Sequence, residues 1–104
     1  MCIRDRANAP EPGEGPSKES RENGNYDVLF CADLDDGSVL SISEKGDMDP
    51  GYGSTSKMIA ESALCLLQDC TELEGGIYTP AASMGEMLIT RLEENAGLTF
   101  TEEN

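Results

Sequence analysis

The sequence contains no histidine and no tryptophan, and its aromatic content is three tyrosines and two phenylalanines in 104 residues. Without histidine, the usual proton shuttle near neutral pH and the commonest zinc ligand are both missing. Tyr26, Phe30, Tyr52, Tyr78 and Phe100 must therefore supply most of the large rigid packing surface, where a self-sufficient core usually holds more. Basic residues are scarce too: seven Lys and Arg stand against 21 Asp and Glu, a formal net charge of −14. A surface of that sign repels phosphate backbones and anionic headgroups, so nucleic acid is not an expected partner. No run approaches the roughly 18 uninterrupted apolar residues of a membrane span, and the first residues lack the apolar stretch of a signal peptide. The expected location is the cytoplasm, and the oligomeric state stays open.

Four cysteines are present, Cys2, Cys31, Cys65 and Cys70, and no pair has the two-residue spacing that lets two thiolates chelate one metal from a turn. Cys65 and Cys70 lie five apart on an expected helix, roughly 140° around its axis, so they are not expected to share a ligand. Cys31 and Cys65 read as small buried apolar groups in a reducing compartment. No metal is expected.

The chain divides into three parts. Residues 1–6, Met-Cys-Ile-Arg-Asp-Arg, resemble translated sequencing-adapter read-through and are read as foreign to the natural protein. Residues 7–25 form an arm rich in proline and glycine, in which Ser17 caps a short polar helical turn and Gly24, left-handed, closes it. Residues 26–104 carry the structured part, for which an α+β fold is expected: a β-hairpin over 26–34 and 39–44, amphipathic helices over 54–70 and 80–95, and a short terminal strand over 98–101. A two-residue loop at Asp36-Gly37 would pair Leu34 with Val39, Ala32 with Ser41 and Phe30 with Ser43, and on the other face Cys31 with Ile42 and Leu29 with Glu44. Both faces of that hairpin are apolar, so it is expected to belong to a larger sheet, in a domain of which this chain holds only part.

The first long helix is expected to start from a Ser54 or Thr55 cap and to bury Met58, Ile59, Ala63, Leu66, Leu67 and Cys70. The second starts at Thr79-Pro80, where a proline at the first helical position loses no hydrogen bond. It buries Ala81, Met84, Leu88 and Leu92, with Gly85 allowing a close backbone approach and Gly97 ending it.

None of the residue constellations completes a catalytic or metal site. The acids around Gly37 invite comparison with a calcium loop, but in that alignment Ala32, Leu34 and Ser43 fall where carboxylates are needed, and a hairpin turn accounts for the acids. Cys65 and Cys70 have no cationic neighbour in sequence to activate a thiolate. Gly51-Tyr52-Gly53 precedes a helix as a nucleotide loop must, yet it lacks the third glycine of a dinucleotide fingerprint, and Ser56 stands where a phosphate loop needs glycine before Lys57. Lys57 and Glu61, four apart, read as an exposed helix pair. A functional use of Lys57 would be to face an anionic group of a ligand or of a nucleotide-binding domain.

Read together, Gly15-Pro16-Ser17 with Arg21 and Gly24, Val28 to Phe30, Asp49-Pro50-Gly51-Tyr52, Thr55, Lys57-Met58, the run from Glu61 to Leu66, Gly75-Gly76, Thr79-Pro80-Ala81-Ala82, Met84-Gly85 and Leu92 resemble the carboxy-terminal end of saccharopine dehydrogenase-like oxidoreductases. The resemblance runs from Pro12 to Phe100 and is nearest to the bacterial trans-acting enoyl reductases of lipid synthesis. It implies a two-domain parent enzyme using NAD or NADP, with an amino-terminal Rossmann domain as this piece's partner. It also implies that residues 26–104 end the second domain and do not catalyse alone. No catalytic or cofactor-binding residue carries over. Asp49, Pro50, Gly51, Tyr52, Thr55, Lys57, Glu61, Thr79, Pro80, Met84 and Gly85 are matching positions, expected to act as structural or interdomain supports. The competing expectation is a small, independent, acidic interaction module that binds a protein through its incompletely covered apolar face.

Overall fold

The computed structural model describes residues 11–103; residues 1–6, read as foreign, and the first part of the 7–25 arm lie outside them. Six elements follow one another: α1 (Lys18–Asn23), β1 (Tyr26–Asp33), β2 (Val39–Gly46), α2 (Gly53–Gln68), α3 (Pro80–Asn95) and β3 (Leu98–Glu103). The strands form an antiparallel sheet in the order β1-β2-β3, with both long helices inserted between its second and third strands. This is the α+β arrangement expected, with the terminal strand two residues longer.

α1 forms where the polar turn was expected, and the Ser17 hydroxyl accepts from the Ser20 N–H at 3.1 Å. Gly24, however, is extended (φ −68°, ψ 160°) rather than left-handed. The Asp49 N–H donates to the Arg21 carbonyl at 3.1 Å, so a neighbouring loop satisfies the helix end and no left-handed turn is needed. Gly24 is required there for space, since a Cβ would come within 2.8 Å of the Asp49 nitrogen.

The hairpin register differs from expectation by one residue. The loop has three residues, not two: the Leu34 N–H donates to Ser38 O and the Gly37 N–H to Leu34 O, both at 2.9 Å, with Gly37 at φ 83°. A two-residue type I′ loop would have required positive φ at Asp36 as well as at Gly37, whereas this loop requires it only at the glycine. Asp36 instead accepts from the Ser38 N–H at 2.9 Å. The shift pairs Phe30 with Ile42, Ala32 with Leu40, Val28 with Glu44 and Tyr26 with Gly46. β3 continues those rows, with Leu98 beside Gly46 and Phe100 beside Glu44. One sheet face therefore carries Tyr26, Val28, Phe30 and Ile42, and the other carries Leu29, Ser43 and Cys31.

The helices cover only one end of the first face. Leu92, Ala96 and Leu98 are buried together, with Met58, Leu88 and Phe100 packed against them, and Cys65, Cys70 and Met84 make a second small cluster. Joining sheet to helix is Tyr26, whose ring lies over Gly46; a Cβ on Gly46 would sit 2.0 Å from it. The Tyr26 hydroxyl reaches Ser54 at 3.0 Å and donates to Glu44 at 3.3 Å.

Both helices form where expected, but their buried lines differ. In α2 the inward residues are Ser54, half-buried Met58 and Cys65, while Ile59, Ala63, Leu66 and Leu67 are exposed. The expected stripe therefore belongs largely to a face that these residues do not cover. In α3 Met84 and Leu92 are buried and Leu88 half-buried, but Ala81 is exposed. Gly85 marks a kink (φ 50°, ψ −132°), and nothing lies within 4 Å of a Cβ placed on it. Its role is to bend the helix, not to admit a neighbouring backbone. Gly97, at φ 72°, follows the end of α3 as expected. Cys31 is exposed, against the expectation that it would be buried; among the described residues β1 packs closely against β2 alone, its partner within the sheet.

Replacing Gly46 by alanine should displace the Tyr26 ring and break its bridge to Ser54. A cost of about 1–3 kcal/mol is expected for forced overpacking, read as a lower urea midpoint. An unchanged midpoint would show that the ring yields without loss.

Candidate functional site

The matching positions fall into two groups. The first lies at the amino end of α2, where a loop must turn the chain from β2 into the helix. The Asp49 carboxylate accepts from the backbone N–H groups of Tyr52 at 2.7 Å and Gly53 at 3.3 Å. Asp49, not Ser54 or Thr55, thus caps the helix. Ser54 is fully buried beneath Tyr26, and Thr55 donates its hydroxyl to the Pro50 carbonyl, which locks the loop from the other side. The N–H bonds, that of Tyr52 foremost, hold the Asp49 carboxyl below its ordinary value.

Beside this cap lies a cleft of about 430 Å³ whose lining includes Lys18, Arg21, Tyr52, Ser56 and Lys57. Three of the chain's seven basic residues meet there. Each has a local partner: Lys18 lies 3.6 Å from Glu22, Lys57 3.7 Å from Asp47, and Arg21 donates to the Pro16 carbonyl at 2.7 Å. Lys57 is therefore not paired with Glu61, the partner expected from helix spacing.

Glu61 belongs to the second group, at the crossing of α2 and α3. Arg91 donates to Glu61 at 3.2 Å, to Gln68 at 2.8 Å and to Asp69 through two nitrogens, and Asn95 also donates to Glu61 at 3.5 Å. The guanidinium fork spans both carboxylates and ties the helices together. Arg91 was not among the matching positions, and as the only base after Lys57 it was the available signal. Inside this clasp, Met84 is buried against Cys65 and Cys70. The two thiols are neighbours, contrary to the helical-wheel expectation, because α2 ends at Gln68 and the chain folds back; the Cys70 N–H donates to Cys65 O at 3.1 Å. Burial pushes the Cys65 thiol up to about 11, with Cys70 and then Asp69 adding to the effect. Such a thiol is no nucleophile at neutral pH.

Thr79 and Pro80 start α3 as expected, the Thr79 carbonyl accepting from the Ser83 N–H at 3.1 Å. The structure does not bring the two groups into one cavity. Among the described residues, no group of three His, Cys, Asp or Glu side chains is placed to hold a metal, and no helix is long and apolar enough to cross a membrane. A nicotinamide dinucleotide does not fit the α2 start: the Tyr52 and Gly53 N–H groups that would meet its pyrophosphate are occupied by the Asp49 carboxylate, which would repel it.

No protein-family model matches the chain. No solved structure matches it. Curated relatives do: a Mycobacterium tuberculosis protein named provisionally as a trans-acting enoyl reductase is 39% identical over 85 residues, 80% of this chain and 20% of that protein. The trans-acting enoyl reductase of Mycobacterium ulcerans is 37% identical over 87 residues, 82% of this chain and 21% of its own length. That of Mycobacterium bovis is 35% identical over 85 residues, again 80% and 20%. The chain thus spans about a fifth of the length of the curated relatives it matches.

Two groups with raised pKa values make the fold less stable at high pH. Folding keeps the proton on Cys65 up to about 11, against 9.0 ordinarily, and desolvation raises Tyr26 above its ordinary 10.0. The unfolded chain releases both protons first, so stability falls as pH rises from about 9 to 11. The urea midpoint should decline over that interval, and Cys65→Ala should abolish its lower part while leaving the part due to Tyr26. An identical decline in the variant would remove Cys65 from the account.

Proposed function

We propose that this chain is the carboxy-terminal part of a saccharopine dehydrogenase-like reductase of the trans-acting enoyl reductase type, dependent on NAD or NADP and inactive on its own. In this reading the missing partner is an amino-terminal Rossmann domain of the same polypeptide, and the whole enzyme reduces an enoyl or carbonyl group in cytoplasmic lipid metabolism. The observation that carries it is similarity over 80% of this chain to proteins of which it covers only a fifth.

The packing supports the same reading. Among the described residues the buried apolar set is Cys65, Cys70, Met84, Leu92, Ala96 and Leu98, while Leu29, Phe30, Val39, Ile59, Leu66 and Leu67 are exposed. Apolar patches of this extent mark surfaces that another part of a protein covers.

In the complete enzyme a reduced nicotinamide, held outside these residues, would supply the hydride. The contribution assigned to these residues is mechanical: Asp49 fixes the turn into α2, and Arg91 holds α2 to α3, so that their exposed faces present a defined surface to the rest of the enzyme.

The test is to recover the complete reading frame from flanking DNA and assay both proteins with reduced nicotinamide and an enoyl thioester. The complete protein should oxidise the cofactor in the presence of the enoyl substrate, and residues 1–104 should neither oxidise nor bind it by calorimetry. Micromolar cofactor binding by the short chain, or an upstream region without a dinucleotide-binding unit, would overturn the assignment.

A further inference from the structure

β1 is an edge strand, and its outer edge lacks the protection that edges normally carry. Its central run, Val28-Leu29-Phe30-Cys31-Ala32, holds no charge, no proline and no glycine. Natural sheets blunt an open edge with such residues, with bulges or with a covering element, because unpaired N–H and C=O groups template another strand. Val28, Leu29 and Phe30 remain 40%, 59% and 53% exposed, so both faces of the strand are open together with its edge.

The opposite edge of the sheet is different. On β3 the Phe100 N–H donates to the Glu93 carboxylate at 3.4 Å, and the strand ends in Glu102 and Glu103. One outward amide is capped by a side chain and the strand end carries two negative charges. Among the described residues no side chain caps a β1 amide.

The hairpin also fixes which β1 groups are free. Leu34 donates to Ser38 across the loop, and hydrogen-bonded pairs alternate along antiparallel strands. In the observed register Ala32, Phe30 and Val28 therefore turn their N–H and C=O groups toward β2. Asp27, Leu29, Cys31 and Asp33 turn theirs outward.

We propose that the outer edge of β1 is a sheet-extension site, at which a strand of the parent polypeptide lying outside this chain pairs with Leu29, Cys31 and their neighbours. The proposal rests on the functional reading above: four fifths of each relative's length has no counterpart in this chain, and that polypeptide is the occupant. The paired strand is apolar at its centre, because it flanks five uncharged residues exposed on both faces. A carboxylate near its centre would be buried without a partner.

Hydrogen exchange followed residue by residue tests this, on residues 1–104 and on the complete protein, with cofactor binding measured on the same samples. In the short chain the Leu29 and Cys31 amides should exchange at least ten-fold faster than those of Phe30 and Ala32. In the complete protein the alternation should vanish, Leu29 and Cys31 becoming as slow as their neighbours. A complete protein that binds the cofactor yet leaves Leu29 and Cys31 fast overturns the edge pairing and leaves the reductase reading standing. Protection of both amides without cofactor binding does the reverse. Protection already present in the short chain, rising with concentration alongside a dimeric mass, overturns the proposal by making a second copy the occupant.

Discussion

The contact on which the described structure depends is the Tyr26 ring lying on Gly46. Those two residues are register partners on adjacent strands, so the aromatic ring fills the space that a side chain on β2 would otherwise take. Its hydroxyl then reaches past the sheet to Ser54, at the start of α2, which is completely buried. One side chain thus covers a bare stretch of backbone and anchors the first helix. Desolvation raises the tyrosine pKa because the ring and hydroxyl sit between two layers. The same hydroxyl lies 4.0 Å from the Met58 sulfur, and Met58 packs against Leu92 and Leu98.

The second constraint is electrostatic. With 21 acids and seven bases, most carboxylates cannot find a cation. The few bases are spent at joints: Lys45 bridges to Asp27 across the hairpin, Lys57 reaches Asp47 between α2 and the end of β2, and Arg91 clasps the two helices. Exposed pairs of this kind contribute little individually. Arg91 differs because its fork is largely sheltered and contacts several acceptors at once. Hydroxyl and backbone donors manage other acids, the Ser38 hydroxyl foremost at Asp36. Ser38 holds the Asp36 carboxyl low, and Tyr52 does the same for Asp49, whereas Asp69 is held low chiefly by Arg91. The stabilisation from these three is present above about pH 3.8 and is lost as pH falls through their lowered values.

Most of the secondary structure was legible because it is written locally. Pro80 after Thr79, Gly97 after the last apolar position of α3, and the strand-turn-strand pattern around Gly37 each act within a few residues. What was not legible depends on distance. The hairpin register turned on whether Asp36 would accept positive φ, a choice between two loops that differ by one residue. The cap of α2 was missed because Asp49 lies three residues before Tyr52, outside the window in which Ser54 looked sufficient. The pairing of Lys57 and Glu61 followed helix geometry correctly, but Asp47 and Arg91 arrive from other elements and outcompete it. The Cys65–Cys70 contact likewise appears only because the helix ends before the second thiol.

The buried face of α2 is the most informative of these failures. Of the stripe that hydrophobic periodicity marks, Met58 and Cys70 face inward, and the structure turns Ile59, Ala63, Leu66 and Leu67 outward. Periodicity reports which face a sequence is suited to bury, without saying what covers it. The covered line, Ser54, Met58 and Cys65, is the more polar of the two. An isolated domain selected to close on itself would place the leucines and isoleucine inside, because burying each is worth about 1.5–3 kcal/mol. That preference is reversed here, and β1 shows the same reversal on both of its faces. Acids are few on both surfaces: the stretch from Val28 to Ala32 has none, Glu44 beside Val28 accepts from the Tyr26 hydroxyl, and the single acid of α2, Glu61, is held by Arg91. Covering these surfaces would desolvate apolar groups without burying unpaired carboxylates. In a chain of net charge −14, such acid-poor ground is where further polypeptide can dock at the lowest cost.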